Sequence, residues 1–144
     1  MKKTEVSEVI FGFGHANIRA THHSTLEFTK DSYVSKNGDC ILAVSTDKGL
    51  ADLGSDFKEK LRNPNAKLTI KIEADEVAEE VRAKGSAQLT LTHPNEMVIR
   101  KSDFASDRTL AVNANKAAED LSRALVEKLK NPGQKVKITL TVKG

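Results

Sequence analysis

Apolar residues along this chain recur with two periods, and the order of the periods is used twice. Leu50, Leu53, Phe57 and Leu61 step by 3, 4 and 4, which is one stripe of a helix. Ala118, Leu121, Leu125 and Leu129 make the same steps. Asp47 and Asn115 stand where N-caps are expected, and Asn63-Pro64 and Asn131-Pro132 where the helices should close, with Asn in a left-handed terminal turn. The period then falls to two. Leu68, Ile70 and Ile72 alternate with Thr69, Lys71 and Glu73, and Val136, Ile138, Leu140 and Val142 with Lys137, Thr139, Thr141 and Lys143. Both segments read as strands with one wet face. Upstream, Ile18, Ala20 and His22 predict a strand, as do Leu89, Leu91 and His93. Turns at His23-Ser24 and Pro94-Asn95 lead into returning strands at Leu26 and Phe28, and at Met97 and Ile99. Asn37-Gly38-Asp39 marks a turn before a strand over Cys40–Val44, and Ser106-Asp107 precedes one over Thr109–Val112. Each half therefore reads as four strands, a helix and a strand.

The two halves also share letters. Moved forward by 68, residues 42–73 fall on 110–141 with 13 identities in 32 pairs, where chance gives roughly two. The front halves align at an offset of 71, with Gly14/Gly85, Thr21/Thr92 and His22/His93 among the matches. The offset changes because Lys36-Asn37-Gly38 has no counterpart. The expectation is a tandem duplication, about 3–73 and 74–144, folded as a single domain over 1–144. Eight to ten strands are near the limit for one sheet. The expected fold is mainly β (α+β), a β-sandwich or barrel with pseudo-twofold symmetry and two equivalent helices.

Composition narrows the function classes. The chain is 38% hydrophobic and 30% charged, so it is globular, and its net charge of +3 comes from 23 basic and 20 acidic residues. The charges are interspersed, and aromatic residues are few, so nucleic acid is an unlikely partner on composition. Phe13 near Arg19 and Phe104 near Arg100 are the only stacking candidates, and a core role is expected of each. No apolar run reaches the length of a membrane span. Met1-Lys2-Lys3 leads into polar sequence, which predicts no secretory leader. One cysteine permits no internal disulfide. Together these point to the cytoplasm.

Candidate chemistry is sparse. His22 and His93 occupy equivalent positions beside Thr21 and Thr92. They are either two imidazoles brought to one cleft or two strand-end rings hydrogen-bonded to their own turns. The first copy adds His15, Asn17, His23 and Glu27, where the second has Ser86, Gln88, Pro94 and Val98. Such asymmetry can turn two equivalent corners into one site. His22 and His23, adjacent on a strand, would point to opposite faces. No Cys pair and no His-Glu-x-x-His spacing is present, so the metal signal is weak, and the residues leave any cofactor unknown. Arg100, Lys101 and Arg108 flank a turn. They can grip phosphate or carboxylate, or simply pair with Asp103 and Asp107. Cys40, next to Asp39, reads as a small core residue rather than an activated thiol. Gly12-x-Gly14 lacks a third glycine and a following helix, so it is no nucleotide-binding loop.

The segments GHANIRATHHSTLEFTKD, NGDCILAV and VIRKSDFASDRTLAVNANKAAEDL resemble an archaeal family catalogued as domain of unknown function 371. The resemblance covers most of the chain. It implies an archaeal cytoplasmic protein with a mostly β, sandwich-like fold, and it carries over no catalytic residue. The residues predict a non-catalytic module binding a small anionic or phosphorylated ligand near the two Thr-His corners and the Arg100/Arg108 turn. The alternatives are a small metal-assisted or hydrolase-like enzyme using His15, His22, Glu27 and His93, and a homo-oligomeric structural protein.

Overall fold

A computed structural model describes residues 5–35 and 37–144. Met1 to Thr4, where the leader reading rests, and Lys36 of the inserted triplet lie outside the described residues. The strands are β1 (Glu5–Phe13), β2 (Thr25–Thr29), β3 (Ile41–Ala43), β4 (Lys67–Ala74), β5 (Val77–Lys84), β6 (Glu96–Arg100), β7 (Thr109–Ala111) and β8 (Lys135–Lys143). The α-helices are α1 (Ser55–Leu61) and α2 (Arg123–Leu129), each preceded by a 3₁₀ turn, Leu50–Asp52 and Ala118–Asp120.

The strands form two four-stranded sheets, in the orders β1-β8-β4-β5 and β3-β2-β6-β7. The first is wholly antiparallel. In the second, β2 and β6 are antiparallel, while β3 and β7 run parallel to their neighbours. Single bridges join the sheets at two corners, Phe13 to Val44 and Lys84 to Val112, so no barrel closes. Both central ladders are self-complementary about one pair. In β4–β8 Lys71 faces Thr139, flanked by Ile70–Leu140 and Ile72–Ile138. In β2–β6 Glu27 faces Val98, flanked by Leu26–Ile99 and Phe28–Met97.

One cluster of buried side chains draws on both halves, including Ile10, Phe28, Phe57, Ile70, Leu91, Leu125 and Leu140. Helix α1 packs on β1 and β8, and α2 on β4 and β5. Each half also caps the other's helix. His15 N–H donates to the Leu129 carbonyl at the end of α2, and Ser86 N–H to the Leu61 carbonyl at the end of α1. A Cβ on Gly14 would run into the Leu129 and Asn131 carbonyls, and one on Gly85 into those of Leu61 and Asn63. These glycines are required by close approach, since neither has a positive φ.

The structure departs from the sequence expectation in five places. The strands over Ile18–His22 and Leu89–His93 do not form. Ala20 and Leu91 take φ of 52° and 55°, which breaks extended backbone and turns the chain. Each predicted helix is interrupted: Leu53 and Leu121 are extended, with ψ of 148° and 149°, between the 3₁₀ turn and the α-helix. The apolar stripe survives because both pieces face the same core. Asp47 and Asn115 are not N-caps; they accept from Phe11 N–H and Arg82 N–H on the sheet edges. Asn63 and Asn131 do not enter the left-handed region; their side chains accept from the backbone N–H two residues on. Finally, Phe28 and Phe57 are core residues, but Phe11, Phe13 and Phe104 are 37%, 43% and 60% exposed.

Candidate functional site

The outer face of the second sheet carries the densest polar cluster. Strand alternation sends Leu26 and Phe28 of β2, and Met97 and Ile99 of β6, into the core. It sends Thr25, Glu27 and Thr29, with Glu96, Val98 and Arg100, to the other side. Glu27 is at the middle of that side and only 5% exposed. Burial, followed by a hydrogen bond to Glu96 and repulsion from its charge, pushes the Glu27 carboxyl from 4.5 up to about 8, with Arg108 opposing. Glu27 therefore holds its proton at neutral pH. A neutral carboxylic acid beside a carboxylate is the arrangement like charges adopt when both cannot ionise.

Cys40, just before β3, points its thiol at Glu27 Oε1, 3.6 Å away. Burial and then the Glu27 charge push this thiol up to about 12, so it stays protonated and unreactive. Arg100 is fixed in place. Its Nε donates to Thr109 Oγ1 (2.9 Å) and its Nη2 to Ser106 Oγ (3.1 Å), and its guanidinium lies 5.0 Å from the Phe104 ring centroid. Desolvation, then the neighbouring Arg108, lower the Arg100 pKa. Arg108 is exposed and reaches Glu96 Oε1 at 3.1 Å. The other Glu96 oxygen lies 3.5 Å from His93 Nε2.

Four of the nine predicted residues thus come together: Glu27, His93, Arg100 and Arg108. The other five do not join them. His22 Nδ1 accepts from the backbone N–H groups of Ser24 and Thr25, at 3.1 Å each. His93 Nδ1 accepts likewise from Asn95 (3.2 Å) and Glu96 (3.0 Å). Both rings are turn caps, and both must carry their neutral-state proton on Nε2. The turns precede β2 and β6, which are antiparallel, so the rings sit at opposite ends of the ladder. His22 lies parallel to His23, their centroids 5.3 Å apart, because the chain there is a turn and not a strand. Thr21 and Thr92 are exposed. His15 and Asn17 serve a separate loop: His15 Nδ1 accepts from Asn17 N–H, Asn17 Nδ2 donates to the Val34 carbonyl, and the His15 ring meets Tyr33 edge-on. Arg108 pairs with Glu96 rather than Asp103 or Asp107, and Lys101 pairs with Asp120. Among the described residues no group of three or more His, Cys, Asp or Glu is placed to hold a metal ion.

Glu96, Cys40, Ser106 and Thr109 were missed as members of the site. Glu96, Val98 and Arg100 alternate in the sequence, which is the signal that places them on one face of a strand. Nothing in the sequence says that this outward face is covered.

A family model described as "Domain of unknown function (DUF371)" matches residues 10–143. An uncharacterized protein of Methanocaldococcus jannaschii is 44% identical over 122 residues, spanning 85% of this chain and 90% of that protein. No helix among the described residues is long and apolar enough to cross a membrane.

Proposed function

We propose that this chain, which belongs to the family of domain of unknown function 371, is a non-catalytic module that binds a small anion beside Glu27. We place it in the cytoplasm, as its lone cysteine suggests, and take it to be one domain built of two tandem repeats. Cross-capped helices and a core drawn from both halves support the last point. The observation that carries the function is the meeting of two guanidinium groups with a carboxyl that keeps its proton to about pH 8. With Glu27 neutral, Arg108 pairs with the Glu96 carboxylate while Arg100 has no carboxylate paired to it among the described residues, leaving one positive charge uncompensated. Arg100 is a pre-positioned donor and Arg108 an exposed arm. Glu96 keeps His93 and Glu27 as partners when Arg108 swings to a phosphate or carboxylate, which a guanidinium grips through two parallel N–H groups. Binding should weaken as pH rises through about 8, where Glu27 becomes a second carboxylate. The test is thermal denaturation with inorganic phosphate at pH 6.5. Phosphate should raise the midpoint of the wild type more than that of Arg108→Ala. Equal shifts, or none at millimolar phosphate, would remove the reading.

A second reading, a small hydrolase-like enzyme, draws on the same carboxyl, since an acid that stays protonated near neutrality is what general acid catalysis needs. Turnover of p-nitrophenyl phosphate or acetate that Glu27→Gln abolishes would favour it over simple binding.

A further inference from the structure

The wet face of the first sheet is separate from the Glu27 cluster and is strongly basic. Lys84, Lys67 and Lys143 stand directly opposite one another on β5, β4 and β8. Lys143 reaches Glu5 of β1 at 3.6 Å, but among the described residues Lys67 and Lys84 have no acidic partner, and like charges facing across strands are destabilising, so the row calls for further compensation. Arg82 lies two residues from Lys84, opposite Thr69. A depression of about 490 Å³ opens among these four cations, beside Asn113 and Asn115, and no acid lines it among the described residues. Lys71, Lys135 and Lys137 continue the same face, against Glu5, Glu73 and Glu80. That is seven cations to three acids, an excess of four, on a chain whose net charge is only +3. The rest of the molecule is on balance not basic at all.

The opposite corner of this face is aromatic. Phe11 and Phe13, opposite Lys137 and Lys135, stand 37% and 43% exposed. Lys135 Nζ lies 4.7 Å from the Phe11 ring centroid. Between the corners the half-buried Thr69, Thr139 and Thr141 offer hydroxyl groups. Strand spacing and rise put Phe11 about 25 Å from Lys84 along the diagonal. An open sheet with two exposed aromatic side chains at one end and a cationic track at the other has the makeup of a platform for stacked bases and their phosphates.

We propose that this face binds single-stranded nucleic acid, with bases stacked on Phe11 and Phe13 and phosphates along the Lys84–Lys67–Lys143 row and Arg82. Few aromatics in the composition do not oppose this, because two well-placed rings suffice. Duplexes are excluded, since their bases are already stacked on one another. The site is independent of the Arg108 anion site, and each can fail alone.

Fluorescence anisotropy with labelled oligouridylate and oligothymidylate of about ten nucleotides tests it. At least one should bind, with affinity falling with salt at a log–log slope of about −3 if four cations are engaged. Phe11→Leu/Phe13→Leu keeps apolar bulk but removes the planes. It should keep the wild-type melting midpoint and weaken binding roughly five- to hundred-fold. Lys67→Glu/Lys84→Glu should weaken binding and flatten the salt slope by more than one. No binding of either strand at 50 mM salt would overturn the proposal. So would a Leu variant that binds like the wild type, or a duplex of equal length that competes as well as the single strand.

Discussion

Glu27→Gln tests the chemistry of the central cluster most directly. The carboxyl ionises at 4.5 in an ordinary setting and at about 8 in the fold. Between those values the folded state holds a proton that the unfolded chain has released. Stability therefore falls as pH rises across the window. At about 1.36 kcal/mol per pH unit, the gap sets a ceiling of roughly 5 kcal/mol, reached only once pH exceeds the folded value. Glutamine has the same shape, donates an N–H toward Glu96 where the acid donated its O–H, and does not titrate. Urea unfolding of both proteins from pH 5.5 to 9.5 gives the difference in stability, in which the other titrating groups largely cancel. The two should be similar near pH 5.5, and the variant should gain on the wild type by several kcal/mol by pH 9. Because Arg108 opposes the rise in Glu27, Arg108→Ala should move the window to higher pH. A difference that does not change with pH would refute the reasoning, because Glu27 would then be ionised in the fold at neutrality.

Phe57→Ala should cost about 3–5 kcal/mol and somewhat more than Leu125→Ala by chemical denaturation, as both side chains are fully buried but the ring is larger. Gly14→Ala and Gly85→Ala should each lose about 1–3 kcal/mol in the same assay, because the added methyl pushes the loop off the helix-end carbonyls it caps. His22→Asn should be milder than His22→Ala, since Asn Oδ1 can replace Nδ1 as acceptor for the Ser24 and Thr25 N–H groups; equal losses would show that the cap is unimportant. Cys40 should react with a disulfide reagent at pH 8 far more slowly in native protein than in urea, given a thiol pushed up to about 12.

The residues that match between the halves proved to be fasteners. His22 and His93 cap turns. Asp52 and Asp120 reach back to the backbone at the start of their 3₁₀ turns and pair with Lys30 and Lys101. Lys48 and Lys116 pair with Glu8 and Glu79, whose carboxylates also accept from the chain entering each helix. The polar cluster is instead built where the halves differ. Glu27, Thr25, Thr29 and Cys40 stand in one half where Val98, Glu96, Arg100 and Arg108 stand in the other. Identity marked what each half needs to fold, and divergence marked what the assembled sheet holds.

Sequence periodicity alone determined the two helical stripes, the alternating final strands and the class of fold, because a side chain's exposure follows from its own element's repeat. Comparison of the two halves placed Glu27 among the candidates, and the cluster of charges flanking a turn placed Arg100 and Arg108. The tertiary structure decided the rest. Whether Ile18–His22 is a strand depends on one backbone angle at Ala20, which an alanine discloses to no pattern. That Glu27 meets Glu96 depends on the register of β2 against β6, and their charge state on burial beneath side chains from other segments. The basic row of Lys84, Lys67 and Lys143 is scattered over 77 positions of sequence and exists only because three strands align it. Local pattern is written residue by residue, whereas charge, burial and contact are sums over neighbours that only the folded chain brings within reach.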